Sequence, residues 1–134
     1  MRVLLLAFCL LVATACDDNN PTGPTVPLNE RFTLAPGESV RIEDASFGLE
    51  FRGVTGDSRC PADAICIQGG DAIVHVRALD GAAADYELHT GDSSRSAAVH
   101  RQTRIRLEEL QPYPFSSRTI APGDYRATLI VTRP

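Results

Sequence analysis

Three histidines, three loop aspartates and a close pair of cysteines are the residues of this 134-residue chain whose types suit chemistry. His75, His89 and His100 sit among alternating polar and apolar residues, and by strand parity all three point away from the core, beside Glu87 and Arg77. On neighbouring strands they would make an imidazole–carboxylate patch able to take copper or zinc. Scattered over separate strands they would be solvated surface groups, and the arginines of that face would repel a cation. Asp57, Asp63 and Asp71 surround the cysteine segment and, with loop carbonyls, offer oxygens to calcium, which takes roughly six to eight of them. No recognised calcium-loop spacing accompanies them. Cys60 and Cys66 are close enough in sequence to pair across a short loop, with Pro61 stiffening its start and Gly69-Gly70 freeing its exit. Redox work would ask for C-x-x-C at a helix start, and zinc would ask for four ligands where two sulfurs stand alone.

Hydrolytic chemistry finds less. Ser58, a histidine and an aspartate can be combined on paper, but no strained nucleophile turn or oxyanion-hole glycine motif is present. Glu108 and Glu109 are adjacent, so in a strand they face opposite ways and share no substrate. The chain therefore reads as a non-enzyme with no cofactor.

These residues are positioned by strands. From Glu30 on the apolar period is two: Phe32 and Leu34; Val40 and Ile42; Phe47, Leu49 and Phe51; Val74 and Val76; Tyr86 and Leu88; Ile105 and Leu107; Tyr125, Ala127, Leu129 and Val131. Pro36-Gly37 has the chemistry of a tight turn, Pro fixing one φ and Gly accepting a positive one. Seven to eight short strands at this spacing predict an all-β domain, a small antiparallel sandwich of immunoglobulin-like or jelly-roll-like type with one Cys60–Cys66 disulfide. Closing so small a loop stabilises by roughly 2 kcal/mol in the chain-entropy model.

Ahead of the strands lies an address. Arg2 precedes an apolar run, Val3 to Ala15, that is too short to span a bilayer and ends in small residues. Ala13-Thr14-Ala15 followed by Cys16 resembles a bacterial lipobox, in which the cysteine is lipidated and becomes the new N-terminus. Cysteine parity agrees: Cys9 leaves with residues 1–15, Cys60 and Cys66 pair, and acylation removes the odd thiol of Cys16. Residues 16–29, the lipidated cysteine and a run rich in Pro, Asn, Asp and Thr, read as a flexible tether, and residues 30–134 as the sandwich. The expected location is the bacterial envelope, with the membrane as partner through the lipid. All 13 basic residues are arginine against 17 acidic ones, for a net charge of −4. That balance and the lack of a basic stripe exclude nucleic acid as a partner.

The run Asp57-Ser58-Arg59-Cys60-Pro61, with Cys66 and Gly69 following, resembles the signature of a family of small bacterial lipoproteins without an assigned activity. The likeness extends to Leu110-Gln111-Pro112-Tyr113-Pro114 and to a closing strand beginning Asp124-Tyr125-Arg126-Ala127. It spans about Phe32 to Val131 and implies the same fold and export, with no reaction. Where the family carries tryptophan two positions after the second cysteine, this chain has Gln68.

Binding is what remains. Arg52, Arg77, Arg104, Arg106 and Arg126 form an outward set suited to an anionic or protein surface, and Tyr113 between two prolines suits display on a loop. Gln68, Arg77, Arg104, Arg106 and Tyr113 are the candidate contact residues of an accessory or protein-interaction module in the envelope. Edge-strand pairing with a partner, or a tethered protease inhibitor, are two forms it could take. The alternative is a metal or small-ligand domain using the histidine face or the Cys60–Cys66 loop.

Overall fold

Alternating segments become strands here because a period of two lets a strand bury one face against a partner sheet and solvate the other. The computed structural model describes residues 21–134. Its strands are β1 (Thr25–Val26), β2 (Arg31–Leu34), β3 (Ser39–Ile42), β4 (Gly48–Asp57), β5 (Ala72–Leu79), β6 (Ala84–His89), β7 (Ala97–His100), β8 (Thr103–Gln111) and β9 (Arg126–Thr132). They form two sheets, ordered β1-β3-β4-β5-β6 and β2-β9-β8-β7, every pair antiparallel except the short parallel β1–β3. The expected sandwich is thus present, with nine strands rather than seven to eight. Leu49, Phe51, Val74, Val76 and Leu88 of the first sheet meet Ile105, Leu129 and Val131 of the second, all sealed from solvent. Each such side chain contributes about 1.5–3 kcal/mol on burial. The Pro36-Gly37 turn is made as its residues require, with Gly37 at φ +85° and the Glu38 N–H donating to the Ala35 carbonyl at 3.0 Å.

Two expectations need correction. Residues 21–29, read as the end of the tether, belong to the fold. Thr25 and Val26 register with Arg41 and Ile42 on the free edge of β3, and the Asn29 N–H donates to the Val131 carbonyl at 2.8 Å. A Pro-rich, β-branched segment is already extended, so it can line an edge without alternating. The five outward arginines do not share a face either. Arg52 and Arg77 lie on β4 and β5 of one sheet, Arg104, Arg106 and Arg126 on β8 and β9 of the other, on opposite outer surfaces. Several are held in ion pairs, Arg52–Glu50, Arg77–Asp85 and Arg106–Glu108.

Strand direction gives the sandwich two distinct ends. One gathers the β3–β4, β5–β6 and β7–β8 turns. There the His100 ring, against Phe47 at 4.8 Å between centroids, joins the sheets. Its Nε2 lies 2.9 Å from Asp80 and its Nδ1 2.8 Å from the Tyr86 hydroxyl. A carboxylate only accepts, so Nε2 donates to Asp80. Pro21 sits at this end too, packed over Gly48, with its carbonyl 3.4 Å from the Arg41 guanidinium. The other end gathers residues 58–71, 90–96 and 112–125, the long loops. A Cβ at Gly48 would lie 2.3 Å from the Pro21 Cβ and 2.9 Å from the Val40 carbonyl oxygen. Gly48→Ala is therefore expected to displace residues 21–24 and to lower stability by about 1–3 kcal/mol, read by urea unfolding and by new protease cleavage ahead of Leu28.

Candidate functional site

The loop end is organised by one buried cation. Arg59 leaves β4 two residues after Asp57 and folds back on it, its Nε donating to Asp57 Oδ1 at 2.8 Å and its Nη2 to Oδ2 at 2.7 Å. The remaining donors reach across to the segment after β8, to the Leu110 carbonyl at 2.7 Å and the Pro112 carbonyl at 3.0 Å. The guanidinium also lies 5.4 Å from the centre of the Tyr113 ring. Tyr125, just before β9, donates its hydroxyl to Asp57 Oδ2 at 3.0 Å. Arg59 is only 9 % exposed, and the planar fork of arginine suits this bidentate, carbonyl-rich pocket where lysine would not. Burial by itself raises the Asp57 pKa, but the Arg59 hydrogen bonds and charge and the Tyr125 hydroxyl outweigh it and hold the carboxyl below its ordinary 3.8. Burial and the neighbouring Asp57 carboxylate push the Tyr125 phenol up.

On this base stands the cysteine loop. Cys60 and Cys66 form a disulfide with Cα atoms 6.0 Å apart. The Ala62 N–H donates to the Pro114 carbonyl at 2.9 Å, and the Ser116 N–H donates to Asp63 Oδ1 at 2.8 Å. These bonds brace residues 60–66 against residues 112–116. Ile65 and Ile67 stand beyond the brace at 103 % and 104 % exposure, as open to water as in an extended peptide, with Tyr113 at 53 % and Phe115 at 46 % on the supporting segment. Gln68 adjoins them, also exposed. Four of the five large exposed hydrophobic side chains among the described residues are therefore at this end, the fifth being Val99 on β7.

The other chemistry-bearing residues are kept apart and are internally engaged. His75 is on the outer face of β5 with its Nε2 2.6 Å from the Thr55 hydroxyl. His89 and His100, expected to face outward, are buried. His89 shares the outward parity of Asp85 and Glu87 but ends β6 and is covered there, whereas on β7 Ala98 and His100 share the inward face and Val99 is exposed, so that strand has the phase opposite to the expected one. His89 Nδ1 lies 2.5 Å from Asp71 Oδ2, and the Gly91 N–H donates to Asp71 Oδ1 at 2.8 Å. Burial raises the Asp71 pKa, yet those two donors and the nearby Thr90 hydroxyl hold it below the ordinary value. With Nδ1 donating to the carboxylate, His89 Nε2 is buried without a protein partner. His89 lines a cavity of about 190 Å³ with Arg59, Ser96, Glu109 and Tyr113, smaller than the roughly 300–1,000 Å³ of small-molecule sites. It is polar enough for solvent to satisfy Nε2. Asp57, Asp63 and Asp71 each serve a different partner. Among the described residues no three His, Cys, Asp or Glu side chains come together as a metal-ligating group. A register shift between Leu107 and Glu109 breaks the alternation expected to set Glu108 and Glu109 on opposite faces, and both line the His89 cavity. A wider recess, about 810 Å³, is an open groove at the opposite end, beside Pro21, Arg41 and Asp80. Cys16 lies outside the described residues.

Comparisons with protein-family models, with curated proteins and with solved structures find no match to this chain. Ile65, Ile67 and Phe115 went unnoticed in the sequence because apolar residues in a loop carry no period. The available signal was composition, since a five-residue disulfide loop has no interior in which to bury Ile65, and Ile67 follows directly after it.

Arg59→Met leaves the Asp57 carboxylate buried and unpaired, with an expected loss of about 3–5 kcal/mol in urea unfolding. The depressed Asp57 pKa also sets a direction with pH. Its stabilisation is complete above the unfolded-state value and is lost as pH falls through that value toward the lower folded one. Tm should therefore drop below about pH 4, and Asp57→Asn should start from a lower Tm and show a shallower acid limb.

Proposed function

We propose that the protein is a lipid-anchored, non-catalytic module of the bacterial envelope that docks another protein through Ile65 and Ile67. The observation that carries this reading is their full exposure on a loop fixed by a disulfide, an arginine node and two hydrogen-bonded braces. Exposed apolar clusters on a rigid base mark contact surfaces, and a prepared surface loses little entropy on binding. The groups suited to chemistry support the same reading, because Asp57, Asp71, Asp80, His89 and His100 are committed to one another or to Arg59.

The attachment point fits this use. Pro21 lies at the end opposite the cysteine loop, and the ten residues of β4 alone cover roughly 30 Å between them. Five residues from Cys16 to Pro21 reach at most about 18 Å. A domain so anchored cannot invert to stand on its tip, which favours an arrangement with Ile65 and Ile67 directed toward other envelope components. The loop also lacks the lysine and arginine cluster that favours anionic headgroups.

A photo-crosslinker at Gln68 in native envelopes is expected to capture one dominant protein, whereas the same group at Arg104 captures none. Ile65→Asp with Ile67→Asp should abolish the capture with stability unchanged to about 0.5 kcal/mol. Capture that survives this double change would remove the tip from the reading. Cys16→Ser should release the protein from membrane fractions, and a variant that still sediments with membranes would contradict lipid anchoring.

A further inference from the structure

The end of the sandwich that carries Pro21 has two unlike sides. One is the groove beside Pro21, where Glu43, Asp44 and Asp80 stand against a single arginine, Arg41. The other is the corner where β7 turns into β8. There Val99, Arg104 and Thr132 register side by side across β7, β8 and β9, in the row of the outer face nearest that end. Among the described residues Val99 is the one large exposed hydrophobic side chain away from the loop end. It borders a cavity of about 260 Å³ with Arg101, Arg104, Thr132 and Pro134, and no carboxylate lines that cavity. Arg101 gives its Nε to the buried Asp80 at 2.7 Å and remains exposed. No carboxylate among the described residues pairs with Arg104.

Resting on the lipid-anchor reading, we infer that this corner lies on the membrane to which Cys16 is attached, with Val99 at the headgroup boundary and Arg101 and Arg104 on the phosphates of anionic lipids. The five residues from Cys16 to Pro21 reach at most about 18 Å. The Pro21 end therefore stays close to the lipid, and its two sides compete to face it. An anionic surface repels the acidic groove and attracts the arginine corner. The corner also has the layering of a bilayer boundary. Val99 and the apolar slot beside it can leave water, while arginine stems lie along apolar surface and carry their charge outward to phosphate. A soluble phosphate ester would use the arginines and leave Val99 without a role. Resting on this corner, the anchored domain takes one orientation, with residues 58–71 on its far side.

Lipid proximity at position 99 tests this. With Cys16 acylated and Cys60 bonded to Cys66, a cysteine introduced at 99 is the one free thiol of the mature chain. A fluorophore on Val99→Cys is read in the lipidated protein, reconstituted into vesicles of phosphatidylcholine and phosphatidylglycerol. A nitroxide carried on the lipid chains should quench it, and should not quench the same fluorophore on Gln68→Cys. Quenching at 99 should fall about fivefold or more in phosphatidylcholine alone. Arg104→Glu, which leaves the Arg101–Asp80 pair in place, should lower it about fivefold in the mixed vesicles. An unquenched label at 99, or quenching that is the same without phosphatidylglycerol, would overturn the inference. A protein captured by the crosslinker at Arg104 would do so too, giving the corner to a different partner. Mass spectrometry of the same preparation separates the two readings. Acylated Cys16 with an unquenched label removes the corner alone, whereas unacylated Cys16 removes the anchor and the corner with it.

Discussion

The loop end depends on the buried ion pair between Asp57 and Arg59. Three stretches distant in sequence, the end of β4, the segment after β8 and the start of β9, meet there, and one guanidinium and one carboxylate tie the first to the other two. Taking both charges out of water costs several kcal/mol for each ion, and their attraction offsets this only when the remaining donors are also satisfied. Every arm of Arg59 that faces the protein finds an oxygen, and Asp57 receives a phenol besides. Such a pair adds little net stability over an apolar replacement of the same shape. What it adds is a fixed geometry in loops that have almost no core to hold them.

The segments that carry the resemblance to a lipoprotein signature are the same three. Asp57 and Arg59 come from the first, Leu110, Pro112 and Tyr113 from the second, Tyr125 from the third. Their spacing in sequence has no evident logic until the chain is folded, when they become one contact. The disulfide is then a second-level constraint, narrowing a loop whose root Arg59 has already set. At the opposite end His100 plays a comparable part with lower charge, tying β5, β6 and β7 through Asp80 and Tyr86. The sandwich is thus pinned at both ends by polar groups and filled between them by aliphatic ones.

This division explains which parts could be read from sequence. The strands from Phe32 to Val131 were legible because alternation reports burial directly, and the Cys60–Cys66 pair because proximity and parity left it little choice. Strand pairing was not legible, so arginines from both sheets looked like one surface. His89 was assigned to the solvent because parity describes a strand in mid-course and it ends one, and His100 because Val99, which is exposed, looked like the inward residue of its strand. Thr25 and Val26 escaped notice because two residues are too few to show a period, although β3 has an edge only they can cover. Arg59 stood inside a recognisable motif, but nothing local says that an arginine will be buried. That follows only from carbonyls fifty residues away.

The exposed isoleucines are informative because the fold had an easy alternative. Serine or asparagine at positions 65 and 67 would leave the disulfide, the braces and the arginine node untouched, since neither isoleucine touches the core. Their apolar surface contributes little to folding, and left in water it favours association. The end of the molecule that a buried charge pair holds together is also the end at which four large apolar side chains meet water, and on the docking reading that rigidity prepares them for a partner.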